Sequence, residues 1–284
     1  MRAGKYAAVI LIAALAAALQ STAQTVKLEQ LAPDLYLVTG GRGANGGLYI
    51  GDNGVLVIDA KMNEESVNAF FDEIKKNTDL PVTYLVNTHS DGDHVYGNRF
   101  FPEDVIIAAH ENCREEFFHP RRDGTPSQWQ DPDLRAYLPS VTFRQKMDLW
   151  LGNKKVELWY FGIGHTTGDA VVYIPEAKTA LIGDQVFLGR TQLIHAYKGG
   201  NSFEHVKTVS RMLETLDAET FCSGHDRPFS REDIEKHVKE MKTRQAKIRS
   251  MLEKGKDPDT VLREFPEEER RLAGIIIKEI AAGY

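Results

Sequence analysis

Apolar and polar positions alternate along the first part of the chain in a way that separates strands from helices. From Lys27 to Ala60 the apolar stretches DLYLVTG, GGLYIGDN and GVLVIDA are broken by glycine turns. This is the pattern of consecutive antiparallel strands joined by tight connections. The turn GGRGANGG, residues 40–47, is long in glycine and short in anchoring side chains, so it is expected to be mobile. Val67, Phe70, Phe71 and Ile74 then recur at i, i+3, i+4 and i+7 with charges between them, which predicts one amphipathic helix. Strands follow in PVTYLVNTH and VIIAAH, with a helix through ENCREEFF. Residues 119–140, rich in Pro, Asp, Arg and Gln around Trp129, show no period and read as a surface insertion placed to lie over a site.

The second half repeats the order. Strands are predicted in TFRQKMDLWLGNKKVELWYFG, AVVYIP and TALIGD, then a helix from Ser202 to Leu216 and a short strand in TFCSGH. Ser230 and Asp233 have the spacing of a capping box that opens a long charged helix to about Lys254. Residues 257–284 read as helical too. No repeat or low-complexity linker intervenes, so residues 24–284 are expected to form one domain whose halves each run strands first and helix after.

The first residues change the picture of where the protein works. Arg2 and Lys5 precede an uncharged apolar run from Ala7 to Leu19, and Ser21 and Ala23 stand where a signal peptidase reads small side chains. Residues 1–23 are therefore expected to be a signal peptide, cleaved after Ala23, and the mature protein to be periplasmic or secreted. At ~1.5 Å per residue the run is too short to cross a ~30 Å hydrocarbon core, and no later stretch is long and apolar enough to span. The formal charge of −6 falls to −8 once Arg2 and Lys5 are removed. An acidic surface repels phosphate backbones, which counts against nucleic acid as a partner and leaves a small molecule as the expected substrate. The two cysteines, Cys113 and Cys222, read as separate small buried side chains, with pairing left open by their spacing.

Candidate chemistry is concentrated in NTHSDGDHVYGN, directly after the apolar run VTYLV. Alternate positions of a strand point the same way, so His89, Asp91 and Asp93 can face one cleft as the chain leaves the sheet, with His94 turning in beside them. Gly92 gives the loop the freedom to gather them. Further on, GIGHTTGDA, LIGDQ and FCSGHDRP place His165, Asp184 and His225 each at the end of its own predicted strand. A lone histidine is ordinary, whereas several strand ends that each carry one possible ligand point to a metal site.

The motifs HSDGDH, GHTTGD, GD and SGH, in that order over residues 27–225, resemble those of the metallo-β-lactamase superfamily, whose first motif is HxHxDH. The resemblance implies an α/β (α+β) fold, a four-layer αββα sandwich with a two-metal site at one edge. Carried over position by position, it assigns His89, Asp91 and His165 to metal 1 and Asp93, His94 and His225 to metal 2, with Asp184 bridging. It also implies two divalent ions, zinc by default with iron or manganese as alternatives, and hydrolysis by a hydroxide held between them. Asp93 is then catalytic, orienting the nucleophile. The substrate range is an ester, lactone, thioester or cyclic amide, β-lactams included.

One position departs from the family pattern. Asp91 stands where the common motif has its second histidine, so three carboxylates and a hydroxide cancel two divalent cations, whereas histidine would leave one positive charge. A site of this kind is expected to acidify its water less and to accept harder metals. The related flavodiiron proteins place glutamate here and hold two irons, which makes an iron-dependent oxidoreductase on the same fold the alternative function. Known zinc β-lactamases also bind the substrate carboxylate with a lysine three residues beyond a metal ligand. Phe187 occupies that place, leaving Arg190, His195 and Lys198 as candidate substrate contacts, with Trp129 as an apolar one.

Overall fold

The computed structural model describes residues 25–284; the expected signal peptide lies outside the described residues. Among the described residues thirteen strands form two sheets. The first runs in sequence order from β1 (Lys27–Ala32) through β2 (Leu35–Thr39), β3 (Gly46–Ile50), β4 (Val55–Ile58), β5 (Val82–Val86) and β6 (Ile106–His110) to β7 (Val141–Phe143). Its first four strands are antiparallel and its last four are parallel. The second sheet holds β8 (Lys146–Leu151), β9 (Lys154–Tyr160), β10 (Ala170–Ile174), β11 (Thr179–Leu181), β12 (Thr220–Cys222) and β13 (Phe229–Ser230), again in sequence order.

Side-chain alternation explains why the sheets stack. Leu56 and Ile58 of β4 turn inward with Leu35, Leu37, Leu158, Val172 and Leu181, and these fill the space between the sheets. Val55 and Val57 turn the other way, onto Val67, Phe70 and Ile74 of helix α1 (Glu64–Asn77). A strand buried on both faces must be apolar throughout, which is why VLVI lacks a polar position. The outer face of the second sheet is likewise covered by helices α4 (Ser202–Thr215), α5 (Arg231–Glu253), α6 (Pro258–Arg263) and α7 (Glu267–Ala281). The layers are therefore αββα, as the motif resemblance implied. The predicted capping box is formed, with Ser230 accepting from the Asp233 amide and Asp233 from the Ser230 amide.

Two shorter helices, α2 (Gly92–Val95) and α3 (Glu111–Glu116), follow β5 and β6. The parallel arrangement of β4, β5 and β6 sends their C-terminal ends to one edge of the sandwich, where side chains of open α/β sheets gather ligands. The ends of β9, β11 and β12 arrive at the same edge from the second sheet, because β9 and β11 are both antiparallel to β10 and β12 is parallel to β11.

Two expectations are corrected here. The turn at residues 40–47 is well anchored rather than short of anchors. The Arg42 amide donates to Ser66 Oγ, and the amides of Ala44 and Asn45 donate to the carbonyls of Asp93 and Gly224. Buried Lys61 donates to the Val38 and Ala44 carbonyls across it. Its last two glycines already belong to β3. Gly43 takes φ +117°, and a Cβ there would come within 2.7 Å of the Asp93 carbonyl, so glycine is what lets the turn lie against the ligand loop.

The insertion at 119–140 is also more ordered than its lack of period implied. It holds short 3-10 turns at Gln128–Gln130 and Pro132–Tyr137, and Trp129, only 3% exposed, sets its ring at a tilt to Phe117 with centroids 5.0 Å apart, beside Val95 and Ala109. Cys113 and Cys222 are buried and unpaired. Among the described residues no helix is long and apolar enough to cross a membrane.

Candidate metal centre

Seven predicted residues meet at this edge in two abutting sets. His89, Asp91, His165 and Asp184 each place one donor atom within 4.8 Å of the others, and Asp93, His94 and His225 do the same. β5 delivers His89, and the turn into α2 brings Asp91, Asp93 and His94 round to it. The loop between β9 and β10 carries His165, and the ends of β11 and β12 carry Asp184 and His225. Asp184 lies between the sets: one oxygen is 3.3 Å from His94 Nε2, and the other is 3.2 Å from His225 Nε2 and 3.9 Å from both His89 and His165. A Cβ on Gly224 would come within 2.5 Å of Asp184 Oδ1 and of the His94 ring, so only glycine leaves that space open.

The donor set fits divalent metal ions. His89 Nε2, His94 Nε2 and Asp184 Oδ1 are buried and have no hydrogen-bond partner. A buried polar atom left unpaired costs on the order of 1–3 kcal/mol, and three of them where the two sets meet are matched by cations held there. The supporting contacts aim the rings. Asp59 Oδ2 lies 2.8 Å from His94 Nδ1, and His165 Nδ1 donates to the Leu193 carbonyl at 2.8 Å, which turns both Nε2 atoms toward the centre. Asp59 was not singled out in the sequence, although its place at the end of the apolar run GVLVI was a usable signal.

Electrostatics agree with a cation site. Burial disfavours the Asp91 and Asp184 carboxylates, yet the surrounding histidines outweigh it and hold both well below the ordinary range. Burial likewise opposes charge on His165 and His225, but Asp91 beside the first and Asp184 and Asp93 beside the second push each up to about 9. Without metal, then, the pocket keeps protons where cations would otherwise sit.

The candidate substrate residues part company. Lys198 Nζ donates to Asp91 Oδ1 at 2.6 Å and to Ser90 Oγ at 2.8 Å, and His195 Nε2 lies 2.8 Å from Asp91 Oδ2. Both therefore grip a ligand. Arg190 stacks 4.2 Å above Phe187 and faces a groove beside α5. Phe187 in turn stacks on His225, with ring centroids 5.7 Å apart. Beside Asp91 and Asp93 opens a cleft of about 290 Å³, bordered by Tyr96, Phe117, Arg121, Arg122, Trp129 and Tyr197. Trp129 borders this cleft from an otherwise buried position. Arg121 and Arg122 were not foreseen, since nothing in a polar insertion distinguishes rim arginines from solvated ones.

Residues 39–225 match the family described as the metallo-beta-lactamase superfamily. Over 189 residues the chain is 26% identical to 2,4-dinitroanisole O-demethylase subunit alpha of Nocardioides sp. (strain JS1661), covering 65% of this chain and 53% of that protein. It is 28% identical over 165 residues to a type 2 metallo-beta-lactamase of Elizabethkingia meningoseptica, covering 56% of this chain and 61% of that one. The chain thus spans between half and two thirds of the length of these relatives. A solved metallo-beta-lactamase from Pontibacter korlensis superposes with a TM-score of 0.65 over 76% of this chain and 99% of its own, at 17% identity, a likeness of fold.

Proposed function

The chain belongs to the metallo-beta-lactamase superfamily, and we propose that within it this protein is an exported two-metal hydrolase of small esters, lactones, thioesters or cyclic amides, β-lactams among them. The observation that carries this reading is the meeting of two donor sets, with Asp184 of the first beside His94 and His225 of the second, at unpartnered buried atoms next to a small cleft. His89, Asp91 and His165 would hold one divalent ion and Asp93, His94 and His225 the other, with zinc favoured by the mixed imidazole and carboxylate donors. Bound there, the ions would supply Lewis acidity and an acidified water.

The chain's own groups do the rest. Asp93 stands at the cleft with its side chain 34% exposed and Oδ2 turned to His225, so its other oxygen is free to accept a hydrogen bond from an attacking water and orient it. Tyr96, Trp129 and Tyr197 border the space that the body of a substrate would fill, and excluding water there strengthens every charge interaction in the site. Lys198 is committed to Asp91, which leaves Arg121 and Arg122 on the rim as contacts for a substrate carboxylate. The named relatives are β-lactamases and a demethylase, and they do not favour the oxidoreductase alternative.

Metal analysis of protein purified without chelator, with a panel of chromogenic esters, lactones and cephalosporins, tests the proposal. Two equivalents of metal and turnover of at least one class are expected. A metal content near zero in supplemented buffer at pH 8 would sink it.

A further inference from the structure

Asp91 is the one ligand that departs from the family's histidine pattern, and it is also the one held by a lysine. Lys198 and Asp91 are 10% and 13% exposed, so solvent screens their 2.6 Å contact poorly. The two oxygens of Asp91 face different ways. Oδ1 is taken by Lys198, while Oδ2 faces His195 at 2.8 Å and, inside the first donor set, His165 at 3.1 Å and His89 at 3.6 Å. Lys198 is itself fixed from behind. It donates to Ser90 Oγ, Ser90 donates to Glu116 Oε2 at 2.5 Å, and the other Glu116 oxygen accepts from the amide and hydroxyl of Thr167. Buried Glu116 thereby ties together the loops that carry Asp91 and His165.

We propose that Lys198 is a positioning residue for Asp91. Its ammonium occupies Oδ1, presents Oδ2 alone to the metal, and restores the positive charge that aspartate in place of histidine removes. Three carboxylates against two divalent cations leave a single positive charge on the centre. Lys198 raises it to two, the value that histidine at position 91 would give. The less positive site expected from the sequence is thus offset by a residue more than a hundred positions away. The inference rests on the metal-binding reading of the site.

The test uses metal-stripped protein reloaded with cobalt(II), read by chelator competition and by visible absorption, neither of which needs a substrate. Lys198→Gln keeps a donor toward Asp91 but no charge, and it is expected to bind cobalt about tenfold or more tightly, because a poorly screened cation beside the centre is gone. Lys198→Met should bind more tightly too, and should also show weaker visible bands, because the freed Oδ1 can join the metal and raise its coordination number. Lys198→Arg should match the parent. Unchanged or weaker binding in Lys198→Gln would overturn the charge role. The same band loss on adding Lys198→Met to Asp91→His would overturn action through Asp91. Thermal melts of each variant confirm folding, and Lys198→Gln reads the charge role even if Lys198→Met does not fold. A parent that takes up no cobalt fails the proposed function itself and this inference with it, an outcome visible before any variant is compared.

Discussion

Asp59 Oδ2 sits 2.8 Å from both His94 Nδ1 and Thr88 Oγ1, and its other oxygen accepts the Thr88 amide at 2.8 Å. One buried carboxylate at the end of β4 therefore orients a ligand of the second donor set and fixes the start of the ligand loop. Asp59→Ala should weaken metal binding by roughly 10- to 100-fold, as loss of such supporting groups commonly does. Chelator competition measures it, and affinity equal to the parent's would show that His94 is aimed by packing alone.

Removing metal should make stability depend on pH in the alkaline range. His165 and His225 are raised to about 9 from an ordinary value of 6.5. Groups with a raised folded pKa contribute stability that is complete below about 6.5 and is lost as pH climbs through about 9. Metal-stripped protein should accordingly melt several degrees lower at pH 9.5 than at pH 7, while metal-loaded protein should change little over that interval. Differential scanning of both forms decides it. A flat metal-free profile would mean the histidines do not share protons with the carboxylates.

Asp91→Ala should lose the metal of the first set and most turnover, and it leaves the largely buried Lys198 ammonium without its carboxylate. Metal stoichiometry is the primary readout. Two metals per chain and parent-like rates would make Asp91 a spectator.

Trp129→Ala removes a ring that is 3% exposed and packed on Phe117, a change that costs about 3–5 kcal/mol in a well-packed core. The insertion should loosen, lowering the melting temperature and raising KM on any confirmed substrate while metal content stays intact. Parent-like melting would show that the insertion is held by its backbone turns alone.

Exported protein should begin at Gln24. Intact-mass measurement checks this, and a mass that retains residues 1–23 would contradict it.

Much of this protein can be read from the order of its residues. Periods of two and of 3.6 are local consequences of strand and helix geometry, so β2 to β4, α1 and the capped start of α5 are legible without any knowledge of the fold. The ligands were legible for another reason: each stands where an apolar run stops, and the motifs keep a fixed order along the chain. Trp129 and the turn at residues 40–47 were legible only in part, because local composition says what a segment can do and not what it lies against.

What the chain by itself determined is most of its elements, their faces and the seven candidate donors at their ends, since these depend on neighbours a few positions apart. Only the tertiary structure decided how those donors are charged and aimed. Asp59 reaches His94 across 35 positions and Lys198 reaches Asp91 across 107. Such contacts exist only after two sheets have stacked and brought their strand ends to one edge, and Coulomb interactions act over distance in space, whatever the separation in sequence. Asp91 alone reads as a subtraction from the family's charge; beside Lys198 it is half of a neutral pair.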